Sequence, residues 1–117
     1  MSRPLIEIAD VGEVTIVRFV DRKMIDMAVI DEVGNKLNDL VDALGRRNLI
    51  VSFRGVDYIA SWMIGKLLWV HGRLKKVNGK LIVCEVGKDL HEVLDLTGFI
   101  RVVPVVADET TALGAFS

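Results

Sequence analysis

The stretch Leu49-Ile50-Val51-Ser52-Phe53-Arg54-Gly55-Val56-Asp57-Tyr58-Ile59-Ala60-Ser61-Trp62-Met63-Ile64-Gly65 decides the fold. It opens on an apolar run of strand length, Leu49 to Phe53, rich in β-branched and aromatic residues as a buried strand requires. Arg54-Gly55 breaks the run. From Met63 the apolar period changes, and Met63, Leu67, Val70, Leu74 and Val77 advance by alternating steps of four and three, the spacing of one helix face. Ser61 stands just ahead of that stripe, where a hydroxyl can cap the first free N–H groups and where the helix dipole accepts a phosphate. It is either a cap or a switch.

Working outward, Ala28 to Leu44 reads as a helix with Ile30, Val33, Leu37, Leu40, Val41 and Leu44 inward and its acids, Asp31 and Asp42 among them, on a solvated outer face. Ahead of it, Leu5-Ile6-Glu7-Ile8 and the alternating Glu13 to Val20 form a strand-turn-strand opening across Val11-Gly12. Asp21-Arg22-Lys23 ends that hairpin, and Met24 to Met27 reads as a loop. Beyond the Ser61 helix, Asn78-Gly79 is a stop, and Lys80 to Cys84 is a further strand. A third helix opens at Gly87-Lys88-Asp89 with Leu90, Val93, Leu94 and Thr97 inward, and Gly98 ends it. Val102 to Val105 is a last strand, placed at a sheet edge because Pro104 cannot donate to a ladder. Asp108 to Leu113 is read as a terminal helical turn. The order β-β-α-β-α-β-α-β implies a single α/β domain over residues 1–117 with a largely parallel sheet.

Composition narrows the function. The net charge of −1 gives no global reason to expect nucleic acid as a partner. No apolar run approaches the roughly 20 residues of a membrane span, and no signal-peptide core opens the chain, so a cytoplasmic domain without membrane insertion is expected. Cys84, the one cysteine, lies in an apolar strand and reads as a buried structural thiol. His71 and His91 have no second ligand at metal spacing. With no glycine-rich phosphate loop and no nucleophile–base pair, neither catalysis nor a cofactor or metal is expected. Trp62, Lys66, Trp69, Arg73 and Lys76 form a second stripe beside the core stripe of the Ser61 helix. They read either as the edge of the core or as a partner-binding face with aromatic and cationic anchors. Gly65 and Gly72 point away from the core stripe, either as surface glycines or to admit another backbone closely.

The element order, and a central strand leading to a serine at a helix start, resemble the STAS domain, named for sulphate transporters and anti-sigma factor antagonists. The family pattern at that junction is Asp-Ser-Ser-Gly-Leu-Gly, and Ala60-Ser61-Trp62-Met63-Ile64-Gly65 aligns with it. Ala60 stands where the family has aspartate, and Trp62-Met63 where it has Ser-Gly. Gly79 to Cys84 and Leu96-Thr97-Gly98-Phe99 also fit. The resemblance implies a mixed sheet of four to five strands with helices packed against it. It further implies phosphorylation at Ser61 by a serine kinase that is also an anti-sigma factor, and removal of the phosphate by a phosphatase. It places the partner surface on Asp21, Arg22 and Asp26 in the loop before the first long helix, beside Trp62, Lys66 and Trp69. An unphosphorylated scaffold or subunit of a signalling or transport-associated complex is the other reading, and a small-molecule or lipid-linked carrier a third.

Overall fold

The computed structural model describes residues 4–116. A five-stranded mixed sheet forms its centre. In chain order the elements are β1 (Ile6–Val11), β2 (Val14–Phe19), β3 (Lys23–Met24), α1 (Met27–Asp42), β4 (Asn48–Ser52), β5 (Tyr58–Ile59) and α2 (Ser61–Lys76). They continue with β6 (Lys80–Cys84), α3 (Lys88–Leu96), α4 (Phe99–Val102), β7 (Val105–Val106) and α5 (Glu109–Gly114). The large sheet runs β1-β2-β4-β6-β7, with only the β1–β2 hairpin antiparallel.

Register divides the apolar residues between the two faces. Val17, Val51 and Val83 lie side by side across β2, β4 and β6, and so do Ile16, Ile50 and Ile82 one residue earlier. Because strand side chains alternate, the valine row enters the larger core, covered by α1, α2, α3 and α4. The isoleucine row enters a smaller core closed by Ala112 of α5. The continuous apolar runs at Leu49 and Leu81 are therefore strands covered on both faces.

Helix α1 begins one residue ahead of the sequence reading, because the Asp26 carboxylate accepts from the N–H groups of Ala28 (2.9 Å) and Val29 (3.2 Å). Helix α2 ends in a Schellman turn. Asn78 takes the left-handed conformation (φ 59°), its N–H donates to the Lys75 carbonyl, and the Gly79 N–H donates to that of Leu74 at 2.7 Å. Gly79 is required there for space: an added Cβ would stand 2.5 Å from the Arg47 carbonyl oxygen.

Several expectations are corrected. Lys23–Met24 is no loop, since it pairs in parallel with Tyr58–Ile59 as a separate two-stranded sheet. Leu44 and Val77 lie past the ends of their helices and are exposed. Val93 and Thr97 point outward, because α3 is only nine residues long and rests on Leu90 and Leu94. The last strand begins after Pro104, and Val102 belongs to α4, opened by Gly98 at φ 80°. The placement of that strand at a sheet edge holds.

Helix α5 is clamped to the back of the sheet by Arg18, whose Nε and Nη2 donate to the two carboxylate oxygens of Glu109 at 2.8 and 2.6 Å. That fork holds the Glu109 carboxyl below its ordinary value. A depressed carboxylate stabilises the fold above its unfolded pKa, and the contribution is lost as pH falls through the folded one. Glu109→Gln should therefore cost about 1 kcal/mol at neutral pH, and the gap from the parent should close below about pH 4.5 in urea titrations. Gly79→Ala should destabilise by about 1–3 kcal/mol at every pH, because the clash is with backbone. A gap that stays constant to low pH for Glu109→Gln would dismiss the clamp.

Candidate functional site

The segment between β4 and α2 leads from the core to the exposed start of α2. Phe53 is buried against Phe19, with ring centroids 5.0 Å apart, and the Val56 N–H closes a turn on the Phe53 carbonyl. Gly55 within that turn has φ 80°, a conformation that favours glycine. The chain then runs beside residues 22–24. The Asp57 N–H donates to the Arg22 carbonyl (2.7 Å), and the Ala60 N–H donates to that of Met24 (2.8 Å). Thus the loop carrying Asp21, Arg22 and Asp26 is tied to the residue immediately before Ser61.

Those three residues have different surroundings. The Arg22 guanidinium donates twice to one Asp57 oxygen, at 3.1 and 2.7 Å, an exposed pair that contributes little to stability. Asp21 lines a shallow pocket with Arg22, Lys23 and Asp57. The Asp26 carboxylate is occupied in capping α1, although the residue is exposed.

Ser61 does not cap α2. Ala60 holds the N-cap position with extended backbone (φ −77°, ψ 153°), no side chain caps the helix, and Ser61 is the first helical residue. The expected cap is displaced by one position, because a side-chain oxygen reaches the N–H groups of the second and third helical residues only from residue 60. Ser61 is exposed. Around this helix start Ile25 is 57% exposed, Met27 58% and Tyr58 61%. Single exposed apolar residues are ordinary.

A stripe runs down the outer face of α2. Trp62 and Trp69 are 45% and 41% exposed, so neither completes the core. The Lys66 ammonium lies 5.3 Å from each ring centre, and the Arg73 guanidinium carbon 5.8 Å from that of Trp69. Asp31 of α1 accepts from Trp62 Nε1 at 2.6 Å and pairs with Lys66 at 3.3 Å. The indole N–H, then Lys66, hold its carboxyl below the ordinary value. Asp42 accepts from Arg73 and from Asn38. Asp31 meets Trp62 and Asp42 meets Arg73 at one constant offset, as two parallel helices require. Gly34 lets the Lys66 stem cross α1, since an added Cβ would meet Lys66 Cδ at 2.9 Å. Between the two indoles, Gly65 forms the floor of a groove of about 240 Å³. An added Cβ would meet nothing within 4 Å at Gly65 or at Gly72.

Reading the α1 acids as a solvated face missed Asp31 and Asp42. Only the parallel packing of α1 and α2 identifies their partners. Tyr58 was missed because the β3–β5 pairing is too short to give a periodic signal, and Ile25 and Met27 because they fall between β3 and the core stripe of α1.

The other polar candidates are structural. Cys84 is fully buried and its thiol is pushed up to about 12, chiefly by burial. Ser52 is buried beside it in the parallel register. Burial also lowers the pKa of His71, and His91 is exposed. Among the described residues, no group of three His, Cys, Asp or Glu side chains is placed to hold a metal. No helix there is long and apolar enough to cross a membrane.

The comparisons with known proteins agree with this architecture. Of proteins similar in sequence, a candidate anti-sigma factor antagonist of Bordetella bronchiseptica, BtrV, is 29% identical over 93 residues, spanning 80% of this chain and 79% of its own. Of solved structures, a STAS domain protein of Planctomyces limnophilus superposes with a TM-score of 0.84 at 22% identity, over 96% of this chain and 97% of that one. The Bacillus cell-fate determinant SpoIIAA in its phosphorylated form superposes with a TM-score of 0.73 at 15% identity, over 96% and 99%. The STAS domain family model matches residues 6–112, and the chain belongs to that family.

Proposed function

We propose that this chain is a regulatory antagonist that binds an anti-sigma factor of the serine-kinase type through the outer face of α2, with phosphorylation of Ser61 releasing it and a phosphatase restoring it. The observation that carries this reading is the spare hydroxyl. Ser61 is exposed at the head of α2 while Ala60 occupies the cap position, so the hydroxyl has no capping duty. The similarity to a candidate anti-sigma factor antagonist supports the partner class. The SpoIIAA fold, solved in phosphorylated form, is compatible with a phosphate on a protein of this architecture.

The mechanism follows from position. Ser61 and Gly65 are four residues apart, so a phosphate on Ser61 sits one turn above the groove between Trp62 and Trp69. It adds nearly two negative charges, which an apolar partner surface covering that groove would have to desolvate. Within the chain the same phosphate is favourable, because the first turn of α2 has no side-chain cap and the dipole attracts an anion. Binding is thereby switched without unfolding. Residues Asp21, Arg22 and Asp26 flank the same end of the helix and complete the surface. In this reading the chain acts by binding, and its one thiol is buried away from the surface.

Intact mass of the protein from its native cells, with fragmentation across Ala60-Ser61-Trp62, should find one phosphate on Ser61 that is absent from Ser61→Ala. Ser61→Asp should weaken binding to the kinase at least about tenfold while raising stability by about 0.5 kcal/mol. An unmodified Ser61 across growth and stress conditions would move the assignment to an unphosphorylated scaffold, a reading that the alanine at position 60 favours. Gly65→Ala should stabilise α2 by about 0.5–1 kcal/mol. Gly65→Ala and Trp69→Ala should each weaken the complex, and equal affinity in both would remove the α2 face from the interface.

A further inference from the structure

The sheet has two edges, and they are finished differently. β7 is two residues long and preceded by Pro104, which makes it a poor template for another strand. β1 is six residues long, pairs with β2 in unbroken register, and contains no lysine, proline or bulge. Its backbone polarity can be assigned. The Val20 N–H donates to the Leu5 carbonyl at 3.2 Å, so Leu5–Val20 is a hydrogen-bonded pair of the antiparallel ladder. By alternation Glu7, Ala9 and Val11 bond to β2, whereas Ile6, Ile8 and Asp10 direct their N–H and C=O groups to the open edge.

The side chains beside that edge are apolar. Ile8 is 49% exposed and Leu44, past the end of α1, is 62% exposed. Together with Ile6 and Leu40 they line a groove of about 270 Å³, with Lys36 and Asp39 also in its lining.

We propose that a second copy of this chain docks on β1, antiparallel and two-fold, joining the two sheets into one. The register follows from the outward groups. Centring the pair on Ile8 sets Ile8 opposite its own symmetry mate and Ile6 opposite Asp10. Every outward N–H and C=O of these residues then has a partner. In this register Glu7 faces Ala9, and no like charges stand directly opposite. Asp10 is already paired with Arg46 at 2.7 Å and accepts from the Thr15 hydroxyl at 3.0 Å. Lys36 and Asp39 give each groove one charge of each sign, so a two-fold copy brings matching opposites. The two Ile8 side chains and the two Leu44 side chains close an apolar seam on the α1 side. This interface lies on β1 and leaves the α2 face free for another partner.

Sedimentation equilibrium of the full chain from micromolar to millimolar concentration tests this. The wild type should form a dimer, and Ile8→Lys and Leu44→Lys, both at exposed positions, should raise its dissociation constant at least about tenfold. Trp69→Ala should leave it unchanged. Under mild oxidation Ile8→Cys should link into a covalent dimer, since hydrogen-bonded partners lie about 5.5 Å apart. Val11→Cys should not, being several residues from the axis. A wild type that stays monomeric at millimolar concentration overturns the proposal. So does a dimer indifferent to Ile8→Lys, and one abolished by Trp69→Ala would belong to the α2 face.

Discussion

The burial of β4 between β2 and β6 is the constraint on which the rest depends. From Leu49 to Ser52 every residue is buried, leaving no face for solvent and no freedom of register. A slip by one residue would exchange the valine row, packed under α1 and α2, with the isoleucine row packed under α5. Both rows would then meet cores of the wrong volume. The parallel register in turn aligns α1 with α2, and that alignment brings Asp31 to Trp62 and Lys66, and Asp42 to Arg73. The cation–aromatic ladder on the surface is thus a consequence of the strand order inside.

The same strand fixes where variation is permitted. Once β4 leaves the sheet at Phe53, the chain needs only to reach the start of α2. It does so over a turn and a two-residue pairing with Lys23–Met24. Val56 anchors this segment in the core, while Arg54, Asp57 and Tyr58 face outward. Such places can carry recognition without disturbing a core.

The parts of this architecture that were legible in the sequence are those with long periodic signals. The α1 and α2 core stripes and the buried strands at Leu49 and Leu81 all rest on runs whose period or apolar continuity declares the element. What was illegible is short or decided by tertiary contact. β3 and β5 have two residues each and stabilise one another only as a pair. Val93 and Thr97 fit a helical stripe, yet α3 meets the core only through Leu90 and Leu94. The placement of Ser61 fell one residue from the truth because helix boundaries depend on which backbone group finds a partner first. That single residue separates a structural hydroxyl from a free one.

Helix α2 sacrifices stability at the places where recognition is proposed. Two glycines stand within it, each costing about 0.5–1 kcal/mol relative to alanine, and neither has a neighbour that an added Cβ would touch. Its start is uncapped, forgoing about another 1 kcal/mol that a serine or aspartate at position 60 would supply. The total, about 2–3 kcal/mol, is a substantial fraction of the 5–15 kcal/mol that holds a typical domain folded. Packing explains the other tight glycine sites, Gly34 under Lys66 and Gly79 against Arg47, but it does not explain these. An open helix start with a free hydroxyl, above a glycine-floored groove between two tryptophans, is destabilising in the isolated chain. It becomes useful when an anion occupies the helix start or when another surface fills the groove. In the proposed switch a phosphate on Ser61 and a partner surface would compete for one end of one helix, and the fold beneath them would stay the same.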